Sequence, residues 1–203
     1  MRNTLVATVL MVAFASVGHS QTPATSRDPV TPDFRVQIWG HIGTDFEAKM
    51  GDYADLRAKL EEGLPTLAVT DEPADITRAE HALARRIRRA RAGAEQGAIF
   101  TAVISAEFRK VLRLEMNPGI WAAVMDDNPG EFSRDINDTY PKKRPLSTVP
   151  PSILAVLPAL PDDIQYRFLG RDLVLHDTRA NIILDRIPDA IQCTECEGIT
   201  RDR

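Results

Sequence analysis

The two cysteines lie three residues apart near the C-terminus, as Cys193 and Cys196. Covalent haem attachment at such a pair requires a histidine at the next position, which Glu197 occupies here. A thioredoxin-type redox pair opens a helix after a strand, whereas a polar tail surrounds this one, and zinc would need two further ligands. We therefore interpret the pair as a disulfide formed in an oxidising compartment. Metal capture and a crosslink to a partner are the alternatives.

Histidine close to an acid is the second pattern that could support catalysis, and it occurs as His176-Asp177 and as His41 with Asp45. Neighbouring residues on a strand point to opposite faces, so we do not expect Asp177 to orient the His176 ring. The sequence contains no nucleophile-elbow serine, no His-Glu-x-x-His motif and no phosphate-binding glycine loop. We therefore assign no catalytic residue and interpret each histidine as a hydrogen-bonded structural residue.

An acidic group flanks the tripeptide Asn128-Pro129-Gly130 and could supply the oxygen ligands that calcium takes. Gly130 falls at the fifth position counted from Asp126, whereas an EF-hand loop needs glycine at the sixth. Acids that favour helix starts explain the group more simply. We therefore predict no metal ion and no cofactor. The acids are Asp126, Asp127, Glu131, Asp135 and Asp138.

Three residues near the C-terminus have the types that tight turns demand. Gly170 comes first in a two-residue link, where a type II′ hairpin turn requires positive φ. Asp177 can accept from backbone N–H groups two residues on, and Asn181 tolerates left-handed geometry. We predict that Gly170, Asp177 and Asn181 are structural turn residues that join three strands, at residues 165–169, 172–176 and 182–187.

Helical periodicity precedes these strands. Apolar residues recur at helical spacing after a capping box formed by Thr44 and Glu47, again over about residues 71–92, and again after Thr101. The second helix carries arginines opposite its apolar stripe, interpreted as a solvated face, with an anion or membrane-surface site as the alternative. The predicted fold class is α+β, with N-terminal helices packed on a C-terminal three-stranded antiparallel β-meander.

The N-terminus has the features of a secretory signal peptide. Arg2 precedes a charge-free apolar run over residues 4–15, shorter than the roughly 20 residues of a transmembrane helix. Gly18 and Ser20 are the small residues expected before a cleavage site. We expect removal of residues 1–20, with cleavage after Ala13-Phe14-Ala15 as the second choice, and export to a periplasm or out of the cell, with no transmembrane segment after cleavage. An uncleaved anchor is the alternative.

The rest of the chain divides by composition. Residues 21–33 are rich in Thr, Pro, Ser and Asp and are predicted to be a flexible spacer. Residues 34–191 are predicted to form a single α+β domain, in which the proline-rich residues 140–161 are a stiff connector with a short helix from Pro151. Residues 192–203 are a polar tail. The net charge of −4 argues against nucleic acid as a partner, because affinity there comes from neutralising phosphates.

The meander also carries a resemblance to known proteins. From Tyr166 to Asp185 the chain follows the pattern YRFxGRDLxLxDxxANxIxD, which resembles the C-terminal signature of a group of exported bacterial proteins with no assigned activity. Residues 75–101 resemble the same group, so the likeness covers about residues 65–190. The resemblance implies export and carries over no catalytic residue.

Two functions are compatible with these observations. The first is an exported, non-catalytic module that binds a protein or an envelope component. The alternative is a periplasmic or secreted hydrolase whose site the sequence does not assemble. A deep pocket that gathers a histidine with two acids would favour the hydrolase, and an open apolar surface would favour the binding module.

Overall fold

The computed structural model describes residues 34–64, 73–130, 135–141, 145–193 and 196. These residues belong to one unit, Pro32–Arg203. The predicted signal peptide and spacer, and most of the predicted tail, lie outside the described residues. The helices are α1 (Phe34–Glu61), α2 (Pro73–Ala90), α3 (Ala102–Glu115), α4 (Pro118–Asp126) and α5 (Pro151–Val156), and the strands are β1 (Ile164–Leu169), β2 (Asp172–Asp177) and β3 (Ile182–Ile187).

The strands form an antiparallel sheet in the order β1-β2-β3. β1 pairs with β2 over its whole length, and Gly170 in the link between them has φ +59°, the positive value that a type II′ turn needs at its first central position. β2 pairs with β3 with one irregularity, between Leu175 and His176. Helices before a three-stranded antiparallel meander confirm the predicted α+β class.

An aromatic cluster joins the helices to one face of the sheet. The Phe108 ring of α3 lies 5.2 Å from that of Phe46 in α1 and 5.9 Å from that of Tyr166 in β1, between ring centroids. All three side chains are buried. Removing a large apolar side chain from water contributes about 1.5–3 kcal/mol, so this cluster is a main source of the attraction between the two layers.

The other face of the sheet is also covered, which the sequence analysis did not predict. Val174 and Ile183 point to that face and pack with Leu169 and Tyr140 in a second, smaller cluster. Backbone hydrogen bonds attach residues 137–140 to the region around β3. Residues 137–140 contain one large apolar residue, Tyr140, so the composition of this segment is that of a connector. Its backbone nevertheless forms hydrogen bonds beside β3. β2 is consequently buried on both faces.

The first helix begins earlier than predicted. α1 starts at Phe34 and continues through Thr44, with a kink at Gly40, where φ is +48°. Trp39, just before the kink, is buried, and its Nε1 donates to the carbonyl of Val156 in α5 at 2.7 Å. Burial and this long-range hydrogen bond stabilise the additional turns, so the capping box predicted at Thr44 is wrong.

The arginine face of α2 is only partly solvated. Arg86 donates to two backbone carbonyls at the C-terminal end of α1, and Arg88 donates to the carbonyl of Asn137. Arg91, just beyond the helix, is buried and donates to the carbonyl of Leu184 in β3. These side chains attach α2 to its neighbours. The prediction of a solvated face applies only to Arg78, Arg85 and Arg89.

Candidate functional site

The two histidines considered for catalysis differ in solvent exposure. His41 is exposed, whereas His176 is buried. Nε2 of His176 lies 3.0 Å from Oδ1 of Asn181, and its ring packs 4.6 Å from the Tyr140 ring. Burial, assisted by the charge of Arg167, lowers the pKa of His176 below its ordinary value. His176 is thus a buried ring that packs against Tyr140 of the second cluster.

Asp177 performs the predicted turn function and a second function that the sequence analysis missed. Its Oδ1 accepts from the N–H groups of Arg179 and Ala180 at 2.9 and 2.8 Å. Its Oδ2 accepts from the Tyr53 hydroxyl at 2.6 Å and lies 3.6 Å from Nη1 of Arg57. Tyr53 and Arg57 are four residues apart and share one face of α1. The same carboxylate therefore closes a turn and binds a helix.

The Tyr53 phenol is a buried hydrogen-bond donor. Burial, together with the charge of Asp177, raises the pKa of Tyr53 far above its ordinary value, so the hydroxyl keeps its proton. Arg91 lies 5.4 Å from the centre of the Tyr53 ring, and burial lowers the pKa of this arginine. Tyr53 is 4% exposed and Asp177 is fully buried. This polar network attaches α1 to the end of β2 and the turn that follows it.

A second buried carboxylate positions the loop between α2 and α3. Oδ1 of Asp185 accepts from the N–H groups of Gly97 and Arg186, and Oδ2 accepts from those of Ile99 and Phe100, at 2.7–2.9 Å. A carboxylate that accepts from several N–H groups satisfies donors that would otherwise be buried without a partner. Asp185 thereby places Phe100 at the aromatic cluster. No local pattern indicates this function, because the loop is more than eighty residues away.

The repeated Asn-Pro-Gly tripeptide has two different functions. Asn117 caps α4 by accepting from the N–H groups of Gly119 and Ile120. Asn128 accepts from the Gly170 N–H and donates to the Gly170 carbonyl, both at 2.8 Å. The hairpin turn is therefore held from outside as well as by its own glycine. The third predicted turn residue, Asn181, has φ +51°, as its type allows.

An open groove of about 450 Å³ lies between α5, the segment that follows it, and β1. We call it the β1 groove; it is lined by residues 148–149, 154, 158–160 and 164–167. Its walls are mainly apolar, and the lining residues that the structure describes include no acid, histidine, cysteine or serine. Leu154, which forms part of one wall, is 43% exposed. The groove is thus separate from the buried polar network.

Arg167 is the only charged residue among the described residues that line the β1 groove. Nη1 donates to the Ser147 carbonyl at 2.8 Å and Nη2 donates to Oε1 of Gln165, while Nε is buried with no hydrogen-bond partner. No carboxylate of the described residues pairs with this guanidinium, and burial lowers the pKa of Arg167. The groove therefore contains a half-buried cation whose charge is uncompensated.

Cys193 and Cys196 are joined in a disulfide, and Cys196 is buried. In the described ranges, no three His, Cys, Asp or Glu side chains are grouped so that they could hold a metal ion. Within those same ranges, every helix is too short or too polar to cross a membrane. The cysteine pair and the β1 groove are therefore the two remaining features for function.

Comparison with known proteins provides no further identification. The chain matches no protein-family model, and neither a curated protein nor a solved structure matches it. Function is therefore inferred from the residues and their geometry, in particular from the β1 groove.

His176 makes the stability of the fold depend on pH. Because burial lowers its pKa in the folded state, the unfolded chain binds the proton more tightly, so stability is lost as the pH falls below the ordinary histidine value of about 6.5. We expect the free energy of unfolding of the wild type to fall more steeply than that of His176→Gln between about pH 7 and about pH 5, by up to about 1.4 kcal/mol per pH unit.

Chemical unfolding at several pH values measures this difference in slope. The control is His41→Gln, which makes the same change at an exposed histidine. Parallel curves for the wild type and His176→Gln would contradict the prediction.

Proposed function

We propose that this chain is an exported, non-catalytic binding protein whose ligand occupies the β1 groove. The observation that carries the proposal is an open, apolar groove of about 450 Å³ with one cation. Small-molecule sites typically have volumes of about 300–1,000 Å³, mainly apolar walls and few polar groups, and the groove has all three properties. The buried acids and His176 lie elsewhere and have structural partners.

The ligand is recognised by side chains and not by addition of a strand. On the free edge of β1, the Ile164 N–H donates to the carbonyl of Pro161 and the Phe168 N–H donates to Oγ of Ser147. Along β3, the Ile183 N–H donates to the carbonyl of Asp138. An added peptide strand needs such N–H groups to be available. The apolar walls therefore supply the affinity.

The hydroxyl groups of the β1 groove are already used in structural hydrogen bonds. The Tyr166 hydroxyl donates to the carbonyl of Pro158, and Thr148 donates to Asp127. Among the described residues, neither hydroxyl forms a hydrogen bond with a histidine. No observation on the described residues favours a hydrolase over a binding protein.

Export is the second part of the proposal. The apolar run of residues 4–15 and the small residues Gly18 and Ser20 support it, as does the resemblance of residues 166–185 to exported bacterial proteins. A periplasmic or secreted protein with an apolar groove would bind an envelope component or a molecule from outside the cell.

Export predicts a shortened chain. N-terminal sequencing of the protein recovered from the periplasm or the medium should begin at Gln21, because Gly18 and Ser20 are the small residues that precede the expected cut. Replacing Ser20 by Arg should slow this cleavage, since a large charged side chain does not suit that position. Recovery of the full-length chain in the cytoplasm would contradict export.

The binding function predicts that an apolar probe enters the β1 groove. The fluorescence of a neutral naphthylamine dye, which rises in apolar surroundings, should report binding to the wild type. Leu154→Asp should weaken this binding at least about tenfold, because it removes about 1.5–3 kcal/mol of apolar contact and adds a charge to the wall.

Leu114→Asp is the matched control, since Leu114 is 78% exposed on α3 and does not line the groove. It should bind the dye as the wild type does. Absence of dye binding to the wild type, or equal binding by Leu154→Asp, would overturn the proposed function.

A further inference from the structure

We propose that the ligand of the β1 groove is an aliphatic monocarboxylate, with its carboxylate bound by Arg167 and its hydrocarbon chain along the apolar walls. This inference rests on the proposed binding function and adds the chemical class of the ligand.

The charge of the ligand follows from the surroundings of Arg167. Two of the five guanidinium N–H donors are used, by Ser147 and Gln165. None of the described lining residues is an acid, and the Asp127 carboxylate accepts from the hydroxyl of the lining residue Thr148. An unpaired, half-buried cation is costly, and an anion that pairs with it offsets that cost. The free site therefore favours a negatively charged ligand.

A single carboxylate suits this cation better than a more highly charged group. The planar guanidinium matches the planar carboxylate, which can accept two parallel hydrogen bonds. Among the lining residues that the structure describes, Arg167 is the only charged one, and it supplies one cation to neutralise one negative charge. A phosphate or a dicarboxylate would leave a second charge against apolar walls, which is unfavourable.

The aliphatic part of the ligand follows from the walls. Leu154, Leu160 and Ile164 present branched apolar side chains, and the Tyr166 ring presents an apolar face because its hydroxyl is bound to Pro158. The polar side chains of Thr148 and Gln165 are bound to other residues. Beyond Arg167 a hydrocarbon chain therefore meets mainly apolar groups. Because the groove is open, a chain longer than the groove extends into water.

Displacement of the naphthylamine dye by hexanoate, octanoate, decanoate and dodecanoate tests the ligand class. Each methylene that enters the groove should tighten binding about fourfold, because a buried methylene contributes about 0.8 kcal/mol. The gain should stop where the chain leaves the groove. The matching primary alcohols have the same chain without the charge, and they should bind the wild type at least about tenfold more weakly.

Variants of Arg167 separate the contribution of its charge to binding from that of the apolar walls. Arg167→Met should lose the preference for carboxylate over alcohol while its binding of the alcohol remains, which shows that the groove is intact. Arg167→Lys should retain part of the preference because it keeps the charge and loses the planar fork. Arg171→Met is the matched control, since Arg171 is an exposed cation outside the groove and should leave the preference unchanged.

The outcomes separate the two levels of the proposal. Equal binding of alcohols and carboxylates by the wild type, or an unchanged preference in Arg167→Met, would overturn the monocarboxylate and leave the groove as a site for apolar ligands. Failure of both the carboxylates and the alcohols to displace a dye that the wild type binds would also overturn the monocarboxylate as the ligand. Absence of dye binding itself would overturn the proposed function and this inference together.

Discussion

The Asp177 carboxylate lies where the first helix crosses the end of the second strand, and it binds both elements. A buried carboxylate is strongly unfavourable unless its oxygens are satisfied. Here two backbone N–H groups of the following turn, the Tyr53 hydroxyl and the Arg57 guanidinium surround it. Because the cost of burial is offset only when all of them are in place, this group determines how α1 lies on the sheet.

The geometry of the β1 groove depends on that position of α1. Trp39 of the same helix donates to the carbonyl of Val156, which attaches α5 to α1. α5 and the residues after it form one wall of the groove, and β1 forms the other. Tyr166 lines the groove and also belongs to the aromatic cluster, where its ring packs against Phe108. The buried contacts of Asp177 thus help to position the surface on which binding is proposed.

The sequence predicts features that depend on local chemistry. Gly170 and Asn181 adopt the positive φ values that their types allow, and strands lie on either side of the Gly170 turn as predicted. The sequence does not predict interactions between distant residues. Tyr53 looks like an ordinary member of an apolar stripe, and its partner Asp177 is 124 positions away. The same limit explains the error at Thr44, where contacts of Trp39 override a local helix-start pattern.

The β1 groove also depends on interactions between distant residues, which the sequence does not predict. Arg167 lies in a strand where alternation predicts an outward-pointing side chain, but its uncompensated charge becomes visible only when α5 and residues 147–149 are placed beside it. The predicted export signal is also local, and it lies outside the described residues. The architecture was therefore predictable from turns and periodicity, whereas the candidate site required the tertiary structure.

A double-mutant cycle of Tyr53→Phe and Asp177→Asn tests most directly whether this carboxylate holds the helix to the sheet. Both changes nearly preserve shape, and Asn can still accept from the turn N–H groups. Chemical unfolding of the wild type, both single variants and the double variant gives the coupling free energy. The account predicts a coupling of at least about 1 kcal/mol, as for a hydrogen bond to a charged group. Additive effects, within about 0.3 kcal/mol, would contradict it.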